Sequence, residues 1–168
     1  MAHFYLDSSA LVKYYITETG TDWVRELIDA RLEDQWQHSI STTLLSVAEV
    51  TAAFHRRRRR GDITRELTAA LVSRYLRDDR ERWALIHADE SVVNLATELT
   101  ERHPLRAYDA VQLATALILN HTLLAYALPA LTFVSADDIL CDVARAEGLP
   151  AENPNEHEEP LNGEAEGR

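Results

Sequence analysis

The sequence predicts an α/β domain built on a central, mostly parallel sheet flanked by helices. Three observations carry that expectation. Short runs at residues 3–6, 37–43, 83–87 and 131–135, apolar or rich in β-branched residues, alternate with longer amphipathic stretches, the pattern of parallel strands joined through helices. Gly20, Gly61, Pro104 and Gly148 fall between those segments and punctuate them. The chain has 168 residues, 46% of them hydrophobic, which is enough for one real core.

The elements follow in order. Residues 3–6 form a buried first strand that ends at Asp7. Ser8 and Ser9 are good N-cap residues, so residues 10–16 read as the first helix, stopped by Gly20. Thr21 or Asp22 can cap the next helix, with Trp23, Val24, Leu27 and Ile28 on its inner face. Residues 37–43 have the β-branched content of a second strand. Residues 44–60 read as a long helix, apolar first and arginine-rich last, ended by Gly61. Residues 63–76 are a further amphipathic helix, and 83–87 a third strand. Residues 91–102 and 107–119 are helices, the second of them buried. Residues 131–135 are the fourth strand and 137–147 the last helix. From residue 151 onward Pro, Asn, Glu and Gly dominate, so the expectation is one domain over residues 1–150 and an acidic, disordered tail over 151–168.

Composition narrows the class. The formal charge is −11, but the six Glu and one Arg of residues 151–168 supply −5 of it. The remaining part is mildly acidic, which does not exclude nucleic acid, because a local basic patch suffices to bind phosphate. Cys141 is the sole cysteine, so no disulfide forms within the chain, and a reducing cytoplasm is expected. The opening MAHFYLDSS lacks the basic and apolar regions of a signal peptide. The longest uncharged run is broken by Asn120, His121 and Pro129 and reads as helix, loop and strand, not a membrane span.

Four carboxylates stand apart from the other acids. Asp7 is the only charged residue in 1–12, and Glu49 the only one in 39–54. Asp109 and Asp137 bracket residues 110–136, which contain no Asp, Glu, Lys or Arg. An unpaired carboxylate in a core segment costs several kcal/mol. Asp7 and Asp137 follow apolar strands, which puts them at one edge of a parallel sheet, where ligands gather. Glu49 and Asp109 have apolar residues one turn away, so their helices turn them toward the core or its rim. Converging carboxylates repel one another, and a hard divalent cation, Mg²⁺ or Mn²⁺, reverses that balance. Such an ion activates water and neutralises charge on a phosphate. Each residue also has a plainer reading: Asp7 and Asp137 as helix caps, Asp109 as a dipole partner, Glu49 as a satisfied core acid. The conjunction of all four carries the metal-site expectation.

The layout resembles the PIN-domain family, and within it the VapC-type toxin ribonucleases. The matching pieces are FYLDSSALVKYY, SVAEVTAAF around Glu49, RAYDAVQLATAL around Asp109, and TFVSADDILCDVARAEGL, in order over about residues 3–150. The resemblance implies a three-layer PIN-like fold and metal-dependent RNA cleavage that leaves the new phosphate on the 5′ side of the cut. It implies Mg²⁺ or Mn²⁺ held by Asp7, Glu49, Asp109 and Asp137, with Ser9 and Ser135 as hydroxyls orienting carboxylates or water. Asp138 is a candidate outer acid. A homodimer and a VapB-like antitoxin partner are implied as well.

Arg56, Arg57, Arg58, Arg59 and Arg60 are candidate RNA contacts, as is Arg106, although a run at a helix end also complements the dipole. Trp23, Trp36 and Trp83 read as core residues, Cys141 as buried and inert, and Tyr14 and Tyr15 as candidates for a dimer face. Two other functions stay open at this stage. A haloacid-dehalogenase-like phosphatase would use Asp7 as nucleophile, but it would want an acid where Ser9 stands. A non-catalytic RNA-binding or interaction module would have no need of the full acidic set.

Overall fold

The computed structural model describes residues 1–157, without the side chains of residues 79–81. Its centre is a five-stranded, wholly parallel sheet in the order β5-β4-β1-β6-β7. The strands are β1 (Ala2–Leu6), β4 (His38–Thr43), β5 (Ala84–Ile86), β6 (Leu131–Val134) and β7 (Ala151–Glu152). A separate antiparallel hairpin joins β2 (Arg31–Leu32) to β3 (Gln35–Trp36). The helices are α1 (Ser8–Tyr15), α2 (Thr21–Asp29), α3 (Ser46–Arg60), α4 (Arg65–Glu81), α5 (Glu90–Arg102), α6 (Ala107–Ala125) and α7 (Asp138–Ala146).

Strand β1 lies between β4 and β6, so both of its edges are paired. Its alternation divides the core in two. Tyr5 points into a cluster with residues of α5, α6 and α7. Leu6 points into a cluster with residues of α1 to α4. The result is the expected three layers, helices on both sides of a parallel sheet.

Several boundaries differ from the sequence expectation, each for a local reason. Asp7, not Ser8 or Ser9, caps α1, because its side chain accepts the Ala10 N–H at 2.9 Å. The two serine hydroxyls are then free for other partners. Gly20, at φ 78°, precedes α2, while the Thr21 hydroxyl turns back to accept the Glu18 N–H. Helix α3 starts at Ser46, not at residue 44, since the Leu44 N–H is committed to Ile86 O at the end of β5. Glu49 therefore lies in the first turn of α3, not deep inside it. Helix α6 runs through Asn120 and His121, where a loop was expected, and Asn120 Oδ1 accepts the Leu131 N–H, tying that helix to β6.

The boundary expected at residue 150 also moves. Ala151–Glu152 pairs with β6, and Asn153 caps a 3₁₀ turn at Pro154–Glu156. Asn153 and Pro154 are both buried. Pro154 O presses on Gly20 so closely that a Cβ there would lie 2.2 Å from it. His157 stacks on Trp23 at 4.3 Å. The segment 151–157 thus belongs to the fold, while residues 158–168 of the expected tail lie outside the described residues. Tyr14 and Tyr15, expected as candidates for a dimer face, are buried within the chain and donate to Asp29 and Asp78. Trp83 is buried, whereas Trp36 is exposed between the guanidiniums of Arg31 and Arg82.

The glycines give a test of the C-terminal docking. Gly61 has φ 84° with nothing near its Cβ direction, so Gly61→Ala meets only the left-handed backbone penalty, about 1 kcal/mol. Gly20→Ala meets the same penalty plus the Pro154 backbone, for a loss of about 3 kcal/mol. Urea unfolding of both variants checks the gap between them.

Candidate functional site

Asp7, Glu49, Asp109 and Asp137 occupy one edge of the molecule. Asp7 follows β1, and Asp137 lies three residues past the end of β6, its neighbour in the sheet. Glu49 follows β4 on the first turn of α3, and Asp109 stands in the first turn of α6. Asp7 caps α1 and Asp137 caps α7, each accepting a backbone N–H. All four thus stand at helix N-termini, where the backbone dipole favours negative charge. Capping and site-forming roles are compatible here, because a cap uses only part of a carboxylate's acceptor capacity.

Asp7 is the buried member, 5% exposed. Its Oδ1 accepts from Ala10 N–H at 2.9 Å and Ser9 Oγ at 2.7 Å, and its Oδ2 accepts from Ser135 Oγ at 2.7 Å. The two serines are held in turn. Ser9 Oγ accepts the Ala136 N–H at 2.8 Å, and Ser135 Oγ accepts the Asp137 N–H at 3.1 Å. Burial pushes the Asp7 pKa up to about 6; the three donors pull the other way, and Glu49 adds repulsion. Desolvation wins over hydrogen bonding at this position.

Glu49 is half-buried, and both of its recorded hydrogen bonds fall on Oε2: from Ser8 Oγ at 2.5 Å and from Gln112 Nε2 at 2.6 Å. Asp109 is half-buried; burial raises its pKa, with the Asp137 carboxylate adding to the rise and Arg106 opposing it. Asp137 is exposed, its Oδ1 bonded to Leu140 N–H. Asp138 is exposed and accepts from Asn153 Nδ2 at 2.5 Å.

The four are coupled electrostatically: Asp7 senses Glu49, and Asp109 senses both Asp137 and Glu49. Among the described residues no three Asp, Glu, His or Cys side chains close on a common point as metal ligands would. The donors nevertheless suit a hard divalent cation. All are carboxylate oxygens, one is buried with its charge disfavoured, and Glu49 Oε1 and part of Asp7 Oδ2 remain free of hydrogen bonds among the described residues.

Of the arginines, Arg56, Arg58, Arg59 and Arg60 are exposed on the last turns of α3, and Arg57 pairs with Glu18. At 1.5 Å per residue they lie roughly 10–16 Å along the helix from Glu49. Arg106 is exposed at the N-cap of α6, beside Asp109. Cys141 is buried, with its thiol pushed up to about 12 by burial, and donates to Ser135 O.

Sequence reasoning missed Ser8, Gln112, Tyr5 and Asn153. Gln112 carried a signal: it is a polar residue one turn past Asp109 in an otherwise uncharged helix. Ser8 was legible only as a cap, and Asn153 lay in a segment whose composition reads as disordered.

The family model for the PIN domain matches residues 4–146. No curated protein matches the chain in sequence. Three solved structures share the fold at low identity. The Mycobacterium tuberculosis toxin VapC20, which cleaves the sarcin–ricin loop, aligns with TM-score 0.57 at 13% identity over 87% of this chain and 95% of that one. VapBC2 from Rickettsia felis, bound to a promoter DNA fragment, gives 0.55 at 13% over 90% and 98%. A toxin–antitoxin complex from Klebsiella pneumoniae gives 0.52 at 16% over 92% and 98%. At these identities the likeness is one of fold.

The raised pKa of Asp7 makes a stability prediction for the metal-free protein. The folded value, about 6, lies above the unfolded 3.8, so the folded state binds more protons between them. Asp7's contribution is therefore neutral below about pH 4 and becomes unfavourable as pH rises to 6, by about 3 kcal/mol in full. Asp7→Asn should match the wild type near pH 4 and exceed its stability by up to about 3 kcal/mol at pH 7. Urea unfolding in EDTA at the two pH values measures it; equal stability at pH 7 would refute the penalty.

Proposed function

The chain belongs to the PIN domain family, and from that premise we propose that it is a Mg²⁺- or Mn²⁺-dependent endoribonuclease, the toxin of a VapBC-type toxin–antitoxin pair. One observation carries the reading: within a chain of this family, a buried Asp7 and three further acids stand at four helix starts along one sheet edge. The fold neighbours, a toxin that cleaves the sarcin–ricin loop and toxin–antitoxin proteins, point the same way.

Asp7, Glu49, Asp109 and Asp137 are the residues that would hold the cation, which supplies a Lewis acid to activate water and offset charge building on the scissile phosphate. The chain's own groups prepare that chemistry. Ser9, Ser135 and the Ala10 N–H fix the Asp7 carboxylate in one orientation. Ser8 and Gln112 fix Glu49 through Oε2. The helix N-termini offset part of the repulsion among the four acids. Exposed Arg56, Arg58, Arg59, Arg60 and Arg106 are proposed to contact RNA phosphates flanking the cut. Asp138, tied to Asn153, is proposed as an outer acid. A VapB-like antitoxin that covers the acidic edge, a homodimer, and a cytoplasmic location complete the proposal. Among the described residues no helix is long and apolar enough to cross a membrane.

The purified protein should cleave RNA with Mn²⁺ and lose that activity in excess EDTA. Asp7→Asn should lower cleavage by at least about 100-fold, the loss of a few kcal/mol of charge stabilisation. Cleavage that persists in EDTA, or in Asp7→Asn, would sink the reading. Replacing Arg56, Arg58, Arg59 and Arg60 with Ala should raise KM for RNA and flatten the salt dependence while leaving kcat in place. An unchanged salt slope would remove the run from the RNA path.

A further inference from the structure

We propose that Gln112 is a positioning residue for Glu49: its amide, anchored at its far end by Tyr5, holds Oε2 and leaves Oε1 as the oxygen that Glu49 offers to a divalent cation. The inference rests on the metal site proposed above and goes beyond it to a residue of the core.

Gln112 lies on α6, 3% exposed, one turn beyond Asp109. Its Oε1 accepts from the Tyr5 hydroxyl at 2.8 Å. Its Nε2 donates to Glu49 Oε2 at 2.6 Å and lies 3.0 Å from Ser8 Oγ and 3.1 Å from Ser46 Oγ. The two amide hydrogens are thereby accounted for, one on Glu49 and one shared between the serines. Ser8 Oγ gives its own proton to the same Glu49 oxygen, at 2.5 Å. Ser46 Oγ is bonded to the fully buried Thr42 Oγ1 at 2.7 Å.

This network permits one amide orientation. Reversed, Gln112 would bring a carbonyl oxygen to 2.6 Å from a carboxylate oxygen, two acceptors with no proton between them, and the Tyr5 hydroxyl would lose its acceptor. The Glu49 carboxylate, which can only accept, therefore dictates which end of the amide meets it, and Tyr5, 0% exposed on the central strand, anchors the other end by donating to Gln112 Oε1. Both donors at Glu49 meet the same oxygen, and Oε1 has no hydrogen-bond partner among the described residues. A glutamate has three side-chain torsions to order before it can act as a ligand. Here a hydrogen-bonded network rooted in the buried Tyr5, Gln112, Ser46 and Thr42 orders them in advance.

The test is Mn²⁺ binding by titration calorimetry, with RNA cleavage followed across Mn²⁺ concentration, for wild type, Gln112→Met and Tyr5→Phe. Gln112→Met keeps the volume and removes the hydrogen bonds of the amide to Tyr5, Glu49, Ser8 and Ser46. It should weaken Mn²⁺ binding by about 10–100-fold. Half-saturation for cleavage should rise by the same factor, with kcat at saturating Mn²⁺ close to wild type. Tyr5→Phe leaves Glu49 untouched but removes the anchor at the far end of the amide, so it should shift affinity in the same direction by less. Should Gln112→Met fail to fold, Tyr5→Phe decides. Wild-type Mn²⁺ affinity in the folded variants, or a fall in kcat at unchanged affinity, overturns the proposal. A wild-type protein that binds no Mn²⁺ overturns the metal site itself, and this inference with it.

Discussion

A carboxylate with three donors aimed at it ties the ends of β1, α1 and β6 together, and the geometry of the acidic edge follows from it. The Asp7 N–H bonds Val134 O at the end of β6, while its side chain caps α1 through Ala10. Ser9 and Ser135 join the same carboxylate and then receive the N–H groups of Ala136 and Asp137. The turn that presents Asp137 is thus organised by hydroxyls that Asp7 orients. Hydrogen bonds to a charged group contribute about 1.5–3 kcal/mol each, yet burial still outweighs them and drives the pKa of Asp7 up to about 6. The site is held rigid around a charge that the fold alone does not favour.

Much of this was legible because charge is scarce in core segments. The isolation of Asp7, Glu49, Asp109 and Asp137 singled them out, and short apolar or β-branched runs between helical stretches gave four of the five strands of the sheet. What escaped depended on contacts distant in sequence. The Leu44–Leu45 stretch has good helix propensity, but Leu44 is bound to Ile86 across the sheet, so α3 begins two residues late and Glu49 moves to its first turn. Residues 151–157 look disordered by composition. They are ordered by Pro154 packing on Gly20, by Asn153 reaching Asp138, and by pairing with β6. No local pattern encodes those contacts. Gln112 was visible as a polar residue one turn past Asp109 in an otherwise uncharged helix, but only the three-dimensional network links it to Glu49.

The plain and the functional readings of the acids turn out to describe the same positions. Asp7 and Asp137 are caps, Asp109 and Glu49 stand in first turns, and each helps its own helix start. Helices α1, α3 and α7 follow strands of a parallel sheet, which brings their starts to one edge, and α6, which follows α5, adds Asp109 beside them. The gathering has an electrostatic remainder. Four helix N-termini offer roughly +0.5 each, about +2 in all, against four carboxylates of −1. Neighbouring Arg106 is exposed and opposes only part of the repulsion at Asp109. The uncompensated charge is therefore about −2, the balance that one divalent cation would close.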